Sequence, residues 1–150
     1  MRLSTRSTYG MRALVELALT SGRGPVSATL IAERQGLSAA YLEQLLHRLR
    51  RQGLVTSVRG PRGGYRLAKA PAKVTMAEVA QTLDGGQGAD VGRRRGLGAA
   101  QRAAWVAEAV QHCVHERLTQ ALHDVTLQDV CDEVQALGGD PLDHRHVFHI

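Results

Sequence analysis

A chain of 150 residues, 43% hydrophobic and formally charged +5, has the size of one domain and enough apolar content for an ordinary core. Its two cysteines, Cys113 and Cys131, provide neither a disulfide framework nor a CxxC metal pair, and no apolar run is long enough to span a bilayer. The charge is lopsided: residues 1 to 70 hold twelve Arg or Lys against three acids, and the remainder holds seven against eleven, so +9 in front faces −4 behind. The front half asks for a polyanion, and without a basic amphipathic helix bearing exposed Leu or Trp the expected polyanion is nucleic acid rather than phospholipid. The apolar stretch Ala13 to Leu19 is short and interrupted by Glu16, unlike a targeting segment, which together with the cysteine usage places the protein in the cytoplasm.

The spacing predicts a first helix from Arg6 to Thr20, with Met11, Leu14, Val15 and Ala18 on one face and Gly22 as its stop. A second begins at the N-cap Ser27, turns Leu30 and Ile31 inward and stops at Gly36. Ser38 caps a third, whose apolar stripe is Leu42, Leu45, Leu46 and Leu49 and whose end is Gly53. Two helices joined by a Gly-Leu-Ser turn match a helix-turn-helix, in which the second helix enters the major groove. At about 100° per residue, Ala40, Glu43, Gln44, His47 and Arg51 project opposite the leucines. A solvated face would show the same polarity, and the segment that follows tips the balance.

"LVTSV" and "YRLA" are short alternating runs separated by "RGPRGG", a hairpin with a glycine-rich tip. Behind a helix-turn-helix this is a wing. Arg59, Arg62 and Arg66 bring charge, Pro61 stiffens the tip, and Gly60, Gly63 and Gly64 let the backbone approach a phosphate or groove floor. A nucleotide-phosphate cradle would need a Lys-Ser/Thr ending between strand and helix, which is missing.

Thr75 and Glu78 form a capping box that opens a fourth helix through Val79, Ala80 and Leu83, expected to pack under the wing. Residues 85 to 100, rich in glycine and arginine, read as a flexible loop. From Gln101 to about Asp124 a longer helix, ~35 Å at ~1.5 Å per residue, carries Val106, Val110, Cys113, Val114, Leu118, Ala121, Leu122 and Val125 close to a coiled-coil seam. A small winged domain cannot bury so long a stripe, so Val106, Val110, Val114, Leu118, Ala121 and Leu122 are expected to meet a second copy in a twofold dimer. Thr126 with Asp129 caps a last short helix ending near Gly138. The fold class is mainly α with a small β-hairpin wing: a winged helix-turn-helix over residues 1 to 84, the loop 85 to 100, a dimerisation helix and short terminal helix over 101 to 137, and a loosely ordered tail from 138 to 150.

"MRLSTRSTYGMRAL", "IAERQGLSAAYLEQLLHRLRRQGLVTSVRGPRGGYRLAKAP" and "VTLQDV" resemble the Rrf-two (Rrf2) family of transcription regulators, densely over residues 1 to 84 and loosely over 105 to 134. YLEQL, RRQGLV and SVRGPRGGY occurring in order make the likeness specific. The resemblance implies a homodimeric winged-helix regulator of bacterial promoters, with Tyr41, Glu43 and Gln44 as recognition positions in the major groove and Arg59 entering the minor groove. The chemistry agrees: a glutamate accepts from cytosine N4, a glutamine pairs with adenine, and an arginine suits a narrow electronegative groove. Glu43 as a mere helix-dipole acid is the competing reading. The full DNA-facing set is Ser38, Tyr41, Glu43, Gln44, His47, Arg48, Arg51, Arg59, Gly60, Arg62, Gly63 and Gly64.

The chain departs from its cluster-bearing relatives, which place three cysteines before the long helix. The corresponding positions here are Arg93, Ala99 and Trp105, with Glu108 at a further ligand position, and Thr8 stands where nitric-oxide-sensing relatives carry an aspartate. Arg and Trp do not ligate iron, so no cofactor is expected and the chain reads as a cluster-free regulator responding to a partner protein, a small ligand or a thiol change. Cys113 is a candidate sensor, against the plainer reading of a small buried core residue; Cys131 has weaker support. The alternative is a metal-responsive regulator, binding zinc, nickel or an unorthodox iron-sulfur group through Cys113, His112, His115, His123 and the tail residues His144, His146 and His149. No catalytic residue is assigned, since Cys113 has histidine neighbours in sequence but no orienting group or oxyanion partner.

Overall fold

The computed structural model describes residues 3–85 and 99–138. Its elements are α1 (Thr5–Leu19), α2 (Ala28–Gln35), α3 (Ala39–Arg51), β1 (Val55–Val58), β2 (Gly64–Leu67), α4 (Met76–Asp84), α5 (Ala99–His123) and α6 (Leu127–Ala136), with 3-10 turns at Ser21–Arg23 and Pro71–Lys73. This is the mainly helical, hairpin-winged architecture that the sequence pattern predicts. The caps are where hydroxyl chemistry puts them: Ser27, Ser38 and Thr75 accept from the amides of Leu30, Tyr41 and Glu78. Gly36, at φ 66°, ends α2 in the left-handed conformation that lets the chain turn into α3.

The core gathers around α3. Leu42, Leu45, Leu46 and Leu49 are no more than 2% exposed and sit in one cluster with Leu14 and Leu17 of α1, Ile31 of α2, Leu54 and Val55 at the base of the wing, and Val79 and Leu83 of α4. Each such leucine is worth about 1.5–3 kcal/mol of apolar burial.

Several expectations need correction. The buried face of α1 runs through Gly10, Ala13, Leu14 and Leu17, while Met11, Val15 and Ala18 lie half-buried at its rim. Both α4 and α6 pack on α1, and this second front rotates its inward face. In α2 the inward set is Ala28, Ile31 and Ala32, and Leu30 is 37% exposed, because an eight-residue helix aims only one i, i+3, i+4 triplet at the core. Helix α4 packs chiefly on α1, α3 and α5 rather than under the wing. Its capping box is half made, because the Glu78 carboxylate takes Lys69 Nζ at 2.7 Å. Helix α5 begins at Ala99, two residues before the predicted start; residues 86 to 98 of the predicted loop and the tail beyond Gly138 lie outside the described residues.

The chain leaves α5 and returns to the same core. Met76 N–H donates to Val125 O at 2.9 Å and Leu127 N–H to Val74 O at 2.8 Å, which delivers Leu127 and Cys131 of α6 into buried positions against α1. Across the fold, the Ser4 and Ser7 hydroxyls both donate to the Asp84 carboxylate, Ser7 at 2.6 Å, and tie the start of α1 to the end of α4.

Ser7 is fully buried, so Asp84→Ala strands a hydroxyl without its acceptor. We expect a loss of about 1–3 kcal/mol, seen as a lower urea midpoint with unchanged slope. At the start of α6 the Thr126 hydroxyl and then the Thr126 amide hold the Asp129 carboxyl below the ordinary aspartate range. That contribution is complete above the unfolded-state value and fades as pH falls through the lower folded one. Asp129→Asn should therefore melt with a smaller drop in midpoint on acidification than the parent chain does.

Candidate nucleic-acid interface

Because α3 buries its leucines, its opposite face is forced outward: Ala40, Glu43, Gln44, His47 and Arg51 are all exposed, as the periodicity predicts. The other predicted contacts of this helix are placed differently. Ser38 is exposed at the N-cap with its hydroxyl occupied by the Tyr41 amide at 3.2 Å. Tyr41 is half-buried, its ring edge-on to Tyr9 at 6.2 Å and 88°. Arg48 turns toward α4, where its Nη1 donates to the Leu83 carbonyl at 3.3 Å and satisfies an end-of-helix acceptor.

One residue missing from the sequence prediction stands out. Arg50 Nη1 donates to Ser57 Oγ on β1 at 3.1 Å, and its Nη2 lies 3.4 Å from His47 Nδ1. It links the outer face of α3 to the wing. The signal in the sequence is the i, i+4, i+7 spacing of Glu43, His47 and Arg50.

The wing is an antiparallel pair with Val55 opposite Leu67, Thr56 opposite Arg66, Ser57 opposite Tyr65 and Val58 opposite Gly64. Arg66 lies across the strands, its Nε 3.4 Å from Thr56 Oγ1, while Arg59, Gly60, Pro61 and Arg62 are exposed at the tip. Gly60, at φ 118°, makes the turn that the Gly63 N–H closes onto the Gly60 carbonyl at 2.9 Å. Gly64 has φ 152°, and a Cβ there would lie 2.3 Å from the Val26 carbonyl oxygen. Gly63 and Gly64 are half-buried and set the shape of the wing, rather than lying open at its tip. Val26 and Tyr65 exchange two backbone hydrogen bonds, at 2.9 and 2.8 Å, so the α1–α2 connection flanks β2.

On α5, Val106, Val110 and Val114 are 58%, 56% and 44% exposed; Ala121 is exposed, and Leu118 and Leu122 are half-buried. Cys113 is exposed in the single chain, not a core residue. Cys131 is buried, and burial, followed by the charge of Asp132, pushes its thiol up, away from thiolate chemistry. His112 lies 3.8 Å from Glu116 on an exposed helix face, and among the described residues no three His, Cys, Asp or Glu side chains gather at metal-binding distance. His144, His146 and His149 fall outside the described residues, as does Arg93.

The family model for Rrf2, described as an iron-dependent transcriptional regulator, matches residues 3–133. The chain belongs to the Rrf2 family. It is 39% identical over 147 residues to the HTH-type transcriptional regulator IscR of Klebsiella pneumoniae strain 342, spanning 97% of this chain and 89% of that one. Among solved structures it is similar to T. potens IscR, with TM-score 0.74, 35% identity and 93% of each chain covered. It is also similar to CymR, the global cysteine regulator of B. subtilis, with TM-score 0.68, 33% identity, 89% of this chain and 98% of that one. It is thus a transcriptional regulator of the Rrf2 family, related to IscR and CymR. An iron-sulfur group does not fit the residues that the family likeness would assign to it: Arg93, Ala99 and Trp105 carry no iron-ligating atom, Trp105 is 62% exposed, and Glu108 alone is left as a donor.

Gly64→Val drives a side chain into the Val26 carbonyl. The Tyr65 amide, which donates to Val26, should lose protection from hydrogen exchange, and stability should fall by about 1–3 kcal/mol while the α3 amides stay protected.

Proposed function

We propose that this Rrf2 chain is a sequence-specific, cluster-free DNA-binding repressor acting as a homodimer in the cytoplasm. The observation that carries the reading is the joint surface of α3 and the wing: exposed Glu43, Gln44 and His47 on one element, exposed Arg59 and Arg62 on the other, and Arg50 bridging them to Ser57. Glu43 and Gln44 read base edges in the major groove, where a carboxylate among phosphates is costly unless a donor such as cytosine N4 meets it. Arg59 enters the minor groove, and Arg51 and Arg62 neutralise backbone phosphates.

A second copy accounts for α5. Its 25 residues span ~37 Å, and the exposed valines form a stripe that water would not leave uncovered. Twofold pairing along it presents two recognition helices about one DNA turn, ~34 Å, apart. The signal is a partner protein, a small ligand or a thiol change. The cysteine-regulator name of CymR and the exposure of Cys113 support the last.

Glu43→Ala should narrow the gap between operator and mismatched duplexes at the position it reads by about 1–3 kcal/mol, with little change on unrelated DNA. Arg51→Ala should weaken all duplexes alike. Equal losses on every sequence for both variants would defeat this division of roles, with titration by fluorescence anisotropy as the measurement. Val110→Asp with Val114→Asp should give a folded monomer in sedimentation that has lost most operator affinity.

A further inference from the structure

On the far flank of the wing, away from α3, lies a groove of about 680 Å³ between the α1–α2 connection and the hairpin tip. Its lining includes Thr20 and Arg23 after α1, Ser27 and Arg34 of α2, and Arg62 and Gly63 of the wing. The Val26–Tyr65 backbone pair holds these segments together, so the groove is part of the folded scaffold. Three guanidinium groups from three separate stretches of sequence thus share one opening, and its lining contains no acidic side chain.

The arginines differ in how far their charge is already met. Arg34 reaches Glu16 at 3.2 Å, but Glu16 also accepts from Gln35 at 3.0 Å, and Arg34 Nε is enclosed without a hydrogen-bond partner. Arg23 and Arg62 are exposed, and among the described residues neither side chain makes a hydrogen bond or an ion pair. The Ser27 Oγ accepts from the Leu30 amide, which leaves its O–H as a further donor beside the guanidinium N–H groups. Planar forks of this kind pair bidentately with carboxylate and phosphate oxygens, and a phosphate offers oxygens to several forks at once. Glu16 offsets the charge of Arg34 alone, so the exposed charges of Arg23 and Arg62 are what such an anion would meet.

We propose that the Arg23–Arg34–Arg62 groove is a phosphate-binding site, distinct from the base-reading face of α3. Resting on the operator-binding reading, its natural occupant is a phosphodiester of the DNA backbone: Arg62 shares the hairpin tip with Arg59, so seating the tip on a duplex brings the groove against the flanking strand. A soluble phosphate would satisfy the same chemistry.

The test uses the full chain and Arg23→Gln, a change at an exposed turn outside both α3 and the hairpin. Binding to operator and to unrelated duplex is titrated across salt, and melting is followed in inorganic phosphate against chloride at equal ionic strength. For the backbone source, Arg23→Gln should reduce the salt slope by about 0.9 per protomer, about two per dimer, and lower affinity about tenfold on both duplexes. For a soluble source the slope stays, but phosphate raises the melting temperature of the parent chain and not of the variant. An unchanged slope together with no phosphate-specific stabilisation overturns the site, even if the parent chain binds its operator with full discrimination. If the parent chain binds no duplex, the operator reading fails, and the melting comparison still decides the groove by itself. Arg62→Gln is the second variant, read by the melting comparison in phosphate, because a loss of salt slope already follows from its contact at the wing tip.

Discussion

Everything on the outer surface of this protein is positioned by the burial of one face of α3. Leu42, Leu45, Leu46 and Leu49 are buried in one cluster, and α3 packs against α1, α2, α4 and the base of the wing. A helix held on so many sides has no freedom to roll about its axis. Its polar residues are therefore fixed in direction as well as exposed, which is the preorganisation a surface needs if it is to read hydrogen-bond patterns in a groove.

The wing depends on the same core through its lower end and on backbone contacts through its upper one. Leu54 and Val55 anchor it below, and Val26 pairs with Tyr65 alongside it. This pairing needs glycine at position 64, so the glycines that look in sequence like a ligand cradle are partly a solution to close packing between two stretches of the chain itself. Arg50 then fastens the other side to α3. Helix α3 and the wing thereby form one unit with basic groups on both flanks.

Much of this was legible in the sequence, because the signals were local. Ser27, Ser38 and Thr75 announced helix starts, Gly36 a stop, and the leucine spacing of α3 its inner and outer faces. What the sequence hid was decided by tertiary neighbours. The inward face of α1 is set by α4 and α6 together, Leu30 is exposed because α2 is too short to bury it, and Glu78 abandons its cap for Lys69. Arg48 and Arg50 were separable only once the carbonyl of Leu83 and the hydroxyl of Ser57 had locations. The groove beside the wing is of the same kind, since its arginines are far apart in the chain and no periodicity relates them.

The return of α6 to the core also has a temporal meaning. Leu127 and Cys131 fill positions in the same cluster as the leucines of α3, although most of the chain separates them. During synthesis the amino-terminal body thus emerges with an apolar gap that is closed only after the whole of α5 has been made. The outer face of α3 and the helix that exposes the valine stripe mature together, so an unfinished chain on the ribosome lacks the completed core on which α3 rests.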